Sequence, residues 1–143
     1  MKPSRLDAEN AIKTLLGYIG EDYNREGLIS TPKRVINSYK ELFSGYNEDP
    51  QDILKTKFVE VAANQNIVFL KDIKFSSFCE HHMLPIIGAV DFAYIPDRHI
   101  VGISKIARLV EIFARRLQVQ ERMTVQIIDN FQKYVNPKGA AIR

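Results

Sequence analysis

The apolar rhythm of this chain changes twice, and that change restricts the folds open to it. Ala8, Ala11, Ile12, Leu15, Leu16 and Ile19 recur at the spacing of one helix face, and Gly20 stands where such a helix stops. Thr31-Pro32, a hydroxyl cap followed by a first-turn proline, opens a second helix. Its apolar face is Val35, Ile36, Tyr39, Leu42 and Phe43, with Gly45 at its end. Residues 47–51 read as a loop. Beyond Ile67 the helical period is gone. Ile67, Phe69, Ile73 and Phe75 predict a strand whose rhythm is broken at Lys71 and Asp72. Val90, Phe92 and Tyr94, alternating with Ala89, Asp91 and Ala93, predict a cleaner strand, and Pro96-Asp97 marks the turn after it. Helical spacing returns over about 104–116, with Ile106, Leu109, Val110 and Phe113 inward. It recurs over 120–135, with Met123, Ile127, Ile128, Phe131 and Tyr134 inward. Asn136-Pro137-Lys138-Gly139 is a turn, and 139–143 reads as the start of another strand. The order predicts an α+β chain, with a helical region at 1–50 and a sheet-bearing region at 51–143. Its 143 residues suffice for a real core.

Composition removes several classes of function. No apolar stretch has the length of a membrane span, and the N-terminal MKPSRLDAEN lacks the apolar block of a signal peptide. A cytoplasmic protein with no membrane partner is expected. The net charge of +3 is too mild to indicate nucleic acid. Cys79 is the only cysteine, which excludes an internal disulfide. It is either a small buried apolar group or a reactive or metal-binding thiol.

Three clusters carry chemistry. In Cys79-Glu80-His81-His82, a thiolate and an imidazole three residues apart can meet one metal across a tight turn. A straight strand would send them to opposite faces, so a metal site requires a bend there. The same spacing also fits a buried thiol beside a surface histidine. The second histidine favours the metal, since one imidazole can hold it while its neighbour moves protons. In Gly102-Ile103-Ser104-Lys105-Ile106-Ala107-Arg108, Ser104 reads as an N-cap, and Lys105 and Arg108 put cations in the first helical turns. Cations are unfavourable at that end unless an anion is bound, so the group fits a phosphate site, or else two solvated charges. In Gln118-Val119-Gln120-Glu121-Arg122, amide and carboxylate side chains could read the edge of a base, or form an exposed polar helix start. Glu111 and Arg115, four apart, read as a surface ion pair.

Taken together, FCEHHMLPIIGAVDFAYIP, VGISKIARLVEIFARRLQVQERMT and NREGLISTPKRV resemble stretches of the GTP cyclohydrolase I family in order and spacing, over about residues 8–135. The resemblance implies a tunnelling fold, in which subunits pool antiparallel sheets into a barrel, with helices before the sheet and two helices after the second strand. It implies a homo-oligomer of stacked pentameric rings. It implies zinc-dependent opening of the guanine ring of GTP, with release of formate and formation of 7,8-dihydroneopterin triphosphate on the way to folate or pterin. By the same resemblance Cys79 and His82 are zinc ligands, and His81 protonates the purine as water attacks C8. Ser104, Lys105 and Arg108 meet the ribose and triphosphate, Gln120 and Glu121 recognise guanine, and Arg34 is a further phosphate contact. The family continues past the Pro-Lys-Gly turn with two more strands, which carry a histidine, a cysteine as third zinc ligand and an arginine. This sequence stops at Arg143 and has no second cysteine. A fragment of such an enzyme is the expectation, and a truncated non-catalytic nucleotide-binding or assembly partner of the same fold is its rival.

Overall fold

The structure, a computed structural model, describes residues 2–59 and 66–143. The chain divides into two compact units, Met1–Leu42 and Phe43–Arg143, so the boundary lies ahead of position 50.

The first unit is a pair of helices. In α1 (Arg5–Tyr18), the Ser4 hydroxyl accepts from the Asp7 N–H, and the Ser4 N–H donates to the Asp7 carboxylate at 2.8 Å. This reciprocal capping box satisfies donors that a helix start leaves open. Ile19 is the C-cap, and Gly20 follows at φ +91, a conformation that favours glycine. The apolar stripe of α1 stays largely open, with Leu15 and Ile19 more than half exposed. In α2 (Thr31–Leu42), Thr31 is already helical rather than a cap, and its hydroxyl donates back to Gly27 O at 3.4 Å. Arg5 ties the two helices by donating to Asn37 Oδ1 at 2.8 Å.

The second unit holds the sheet. A 3-10 turn at Ser44–Asn47 leads into α3 (Pro50–Leu54), which starts where a loop was expected. Asp49 caps it by accepting from the Gln51 N–H at 2.9 Å, and Pro50 fills the first turn. Among the described residues four strands follow: β1 (Val68–Cys79), β2 (Pro85–Ile95), β3 (Leu117–Gln118) and β4 (Gly139–Ile142), in the order β3-β1-β2-β4. The β1–β2 and β2–β4 pairs are antiparallel, as expected, whereas β1 and β3 run parallel through Phe78 and Cys79. The break at Lys71 and Asp72 is an irregularity inside β1. Its register shifts between Leu70 and Ile73, where Asp72 adopts φ 63 and donates its N–H to Asp91 Oδ1 at 2.8 Å.

Helices α4 (Ile103–Ala114) and α5 (Gln120–Val135) supply much of the core that the sheet closes. The alternating Val90, Phe92 and Tyr94 of β2 are buried with Ile106, Leu109, Val110 and Phe113 of α4 and with Met123, Ile127 and Phe131 of α5. The Phe131 ring meets Phe92 and Tyr94 edge-on at 4.8 and 4.9 Å. Each such pair adds roughly 0.5–1.5 kcal/mol beyond area burial. Ile128 and Tyr134 lie at the margin of the core, and Val135 is inside it. Asn136 ends α5 in the left-handed conformation and turns the chain into β4. Among the described residues, no helix is long and apolar enough to cross a membrane.

Candidate functional site

The end of β1 is shaped by two backbone hydrogen bonds. The Met83 N–H donates to Cys79 O at 2.8 Å, and the Cys79 N–H donates to Leu84 O at 2.8 Å. With Met83 at φ 56, they close a tight turn over Glu80, His81 and His82 before β2 begins at Pro85. This is the bend that metal binding requires. The Cys79 sulfur lies 3.9 Å from Nδ1 of His81 and 3.9 Å from Nδ1 of His82. Tetrahedral zinc, with Zn–S about 2.3 Å and Zn–N about 2.0–2.1 Å, sets sulfur and nitrogen about 3.6 Å apart. The thiol and either imidazole therefore fit as two donors to one zinc. Among the described residues no group of three or more His, Cys, Asp or Glu side chains converges tightly enough to hold a metal ion.

Electrostatics suit the same use. The backbone N–H groups of His81 and His82 donate to the Cys79 sulfur and hold its thiol below the ordinary cysteine value, with the His81 imidazole adding to the effect and burial opposing it. The two histidines differ in surroundings. His81 Nε2 lies 3.8 Å from Glu80 Oε1. Glu80 is itself taken by Arg122, whose hydrogen bond holds the Glu80 carboxyl below the usual carboxylate range against the opposing effect of burial.

Arg122 also donates to Leu117 O at 3.2 Å and to Gln118 Oε1 at 3.4 Å. Gln118 is 2% exposed, and its amide donates to Phe113 O at 2.8 Å and to Gln126 Oε1 at 2.9 Å. Its own carbonyl accepts from the Glu80 N–H at 3.1 Å. The turn at residues 79–82 is thus joined to the start of α5. Sequence reasoning missed this. It grouped Gln118 with an exposed polar helix start and gave Arg122 no partner. The one available signal was a glutamine set between Leu117 and Val119.

The remaining candidates lie on other elements. Ser104 is the second residue of α4, not its cap. Gly102 is the cap, with no side-chain hydrogen bond, because extended backbone at ψ 139 falls there and Ser104 is already helical. Lys105 and Arg108 occupy the first two turns of α4. Arg108 lines a cleft of about 450 Å³ between β1 and α4, together with Lys74, Ser76, Glu111 and Arg115. Glu111 and Arg115 pair at 2.5 Å, as expected. Gln120 and Glu121 open α5, and Gln120 lines a small cavity with Phe75, Ser77 and Ile86. Arg34 is exposed on α2 in the other unit. The structure brings Cys79, His81 and His82 together, while within the same unit Lys105 and Arg108 lie on α4 and Gln120 and Glu121 on α5.

Comparison with known proteins gives a consistent set of matches. A family model described as GTP cyclohydrolase I matches residues 8–143. The protein "GTP cyclohydrolase 1" of Rickettsia felis is 58% identical over 142 residues, covering 99% of this chain and 75% of that protein. Those of Rickettsia prowazekii and Rickettsia africae are 56% and 59% identical over the same shares.

Proposed function

Since the chain belongs to the GTP cyclohydrolase I family, whose reaction is the hydrolytic opening of the guanine ring of GTP, we propose that the turn at residues 79–82 is its metal and proton-transfer centre. The observation that carries this reading is the approach of the Cys79 sulfur to 3.9 Å from both imidazoles, close to the spacing zinc needs. Cys79 and His82 hold the metal, and a third donor comes from outside the described residues. Zinc in such a site supplies Lewis acidity that makes water nucleophilic near neutral pH.

The chain's own residues do the rest. His81 donates a proton to the purine nitrogen as water adds at C8 and one C8–N bond breaks, which opens the five-membered ring to a formamide; a second water cleaves the formamide and formate leaves. Glu121 accepts from the guanine N–H edge, a pattern adenine lacks, and Gln120 beside it completes the base contact. Ser104, Lys105 and Arg108 bind the ribose and triphosphate, with Arg34 as a further phosphate contact. Both cations sit in the first two turns of α4, where a bound phosphate would offset their repulsion from each other and from the positive end of the helix. The product of ring closure is 7,8-dihydroneopterin triphosphate.

We assign the protein to the cytoplasm as a homo-oligomer of stacked pentameric rings. The sheet supports the pooling of subunits. β3 pairs only with Phe78 and Cys79, so most of that edge of β1 has no strand beside it among the described residues. The test of the metal reading is zinc analysis of two variants in the full-length protein. His82→Ala should lose zinc. His81→Ala should keep zinc and GTP binding and lose ring opening. Equal zinc loss in both would remove the division of labour.

A further inference from the structure

Glu80 stands between the two proposed zinc donors, yet its carboxylate is taken by Arg122 of α5. The same guanidinium donates to Leu117 O and to Gln118 Oε1, both in β3. β3 in turn pairs with the Cys79 end of β1 and accepts the Glu80 N–H. Gln118 is buried and fastened to Phe113 O in α4 and to Gln126 in α5. One arginine therefore spans three pieces of backbone: the metal turn, the short strand beside it, and the first turn of the helix that carries Gln120 and Glu121.

We infer that Arg122 is a positioning residue. Acting through Glu80, it holds the turn of residues 79–82 in fixed relation to the start of α5, so that the zinc donors and the Glu121 carboxylate keep a set separation. The inference rests on the proposed metal reading and goes beyond it by assigning roles to Arg122, Glu80 and Gln118. The Glu80–Arg122 pair is partly open to water, with side chains 32% and 43% exposed. Such a pair adds little to stability. Its geometry matters more: a planar fork can hold a carboxylate and two carbonyl-type oxygens in one orientation, which an ammonium cannot reproduce.

The test uses the full-length protein and four variants: Glu80→Gln, Arg122→Ala, Arg122→Lys and the Glu80→Gln/Arg122→Ala double. Zinc affinity is read by competition with a chromophoric chelator, independently of turnover. Thermal unfolding and kcat and KM for GTP are read alongside. Glu80→Gln and Arg122→Ala should each weaken zinc binding by about 10–100-fold, the usual effect of removing an outer partner of a metal site. The double variant should lose no more than the worse single variant, because both remove the same contact. Arg122→Lys should recover part of the loss. In all of them kcat should fall more than KM rises, with melting temperatures near that of the parent. Glu80→Gln is nearly isosteric, which keeps the test usable if Arg122→Ala folds poorly. Parental zinc affinity and kcat in Glu80→Gln and Arg122→Lys would overturn the inference, as would losses in the double variant that multiply. A parent protein that takes up no zinc would instead overturn the metal reading beneath it.

Discussion

Gly45 offers a sharp test of how the fold supports the turn at residues 79–82. A Cβ built at this position lies 2.0 Å from Ile112 O and 2.9 Å from Arg115 O, both of them backbone atoms. An ordinary carbon–oxygen contact is about 3.3 Å, so the 3-10 turn and the end of α4 must separate by about 1.3 Å in Gly45→Ala. One hydrogen bond depends on that approach: the Tyr46 hydroxyl accepts from the Leu117 N–H at 3.1 Å. Overpacking of a fixed core costs about 1–3 kcal/mol. A lost hydrogen bond adds roughly 0.5–1.5 kcal/mol. We therefore expect Gly45→Ala to lose roughly 2–4 kcal/mol, measured by urea unfolding followed by far-ultraviolet circular dichroism at fixed protein concentration. The effect should extend to the site, because Leu117 begins the strand that pairs with Cys79. Gly139→Ala is the control: nothing lies within 4 Å of its Cβ, so it should stay within about 0.5 kcal/mol of the parent. Equal stability of the two variants would refute the steric argument.

Three further outcomes follow from the proposed site. Lys105→Ala and Arg108→Ala should each weaken GTP by about tenfold or more and guanosine far less in calorimetric titration, since charge-assisted bonds to phosphate are lost; equal losses for both ligands would assign these residues to packing or assembly. Glu121→Gln replaces an acceptor with a donor and should cost about 1–3 kcal/mol of GTP affinity with no gain for ATP; undiminished GTP binding would remove Glu121 from the base pocket. The 143-residue polypeptide, purified alone, should bind zinc weakly and release no formate from GTP, because catalytic zinc takes three protein ligands and no third donor converges with Cys79 and His82 among the described residues; stoichiometric tight zinc with steady turnover would show that the third donor is already present.

The elements that could be read from sequence are those whose signal is local and repeated. Val90, Phe92 and Tyr94 alternate over enough residues to fix both strand and face, and all three are buried. The interruption at Lys71 and Asp72 was visible, and it marks a register shift within one strand. Short elements were not readable. α3 spans five residues, too few for a helical period, although Asp49-Pro50 has the same cap-then-proline grammar that marked Thr31-Pro32. β3 is two residues long and exists only because the end of β1 passes beside it. Ser104 was expected as a cap because serine favours that position, but Gly102 holds the extended conformation two residues earlier and the helix starts there.

The same distinction runs through the site. Cys79 and the two histidines could be grouped from sequence because a tight turn is a local event, and two backbone bonds within it suffice to make the donors converge. The partner of Glu80 could not be found that way. Arg122 lies 42 residues further on, and the pair meets only after β3 docks parallel to β1. Sequence spacing argues that Glu80 points away from a metal held by its neighbours, but it gives no destination. Burial of Gln118 was equally hidden, since an amide at a helix approach is as consistent with solvent as with the interior. What decides it is that Gln118 finds partners for its amide in Phe113 O and Gln126, while its carbonyls serve Arg122 and Glu80. A buried side chain with its polar atoms thus engaged costs little to keep and resists rotation. That places a rigid post beneath Arg122, and rigidity at that point is what the proposed metal turn at residues 79–82 most needs from the rest of the chain.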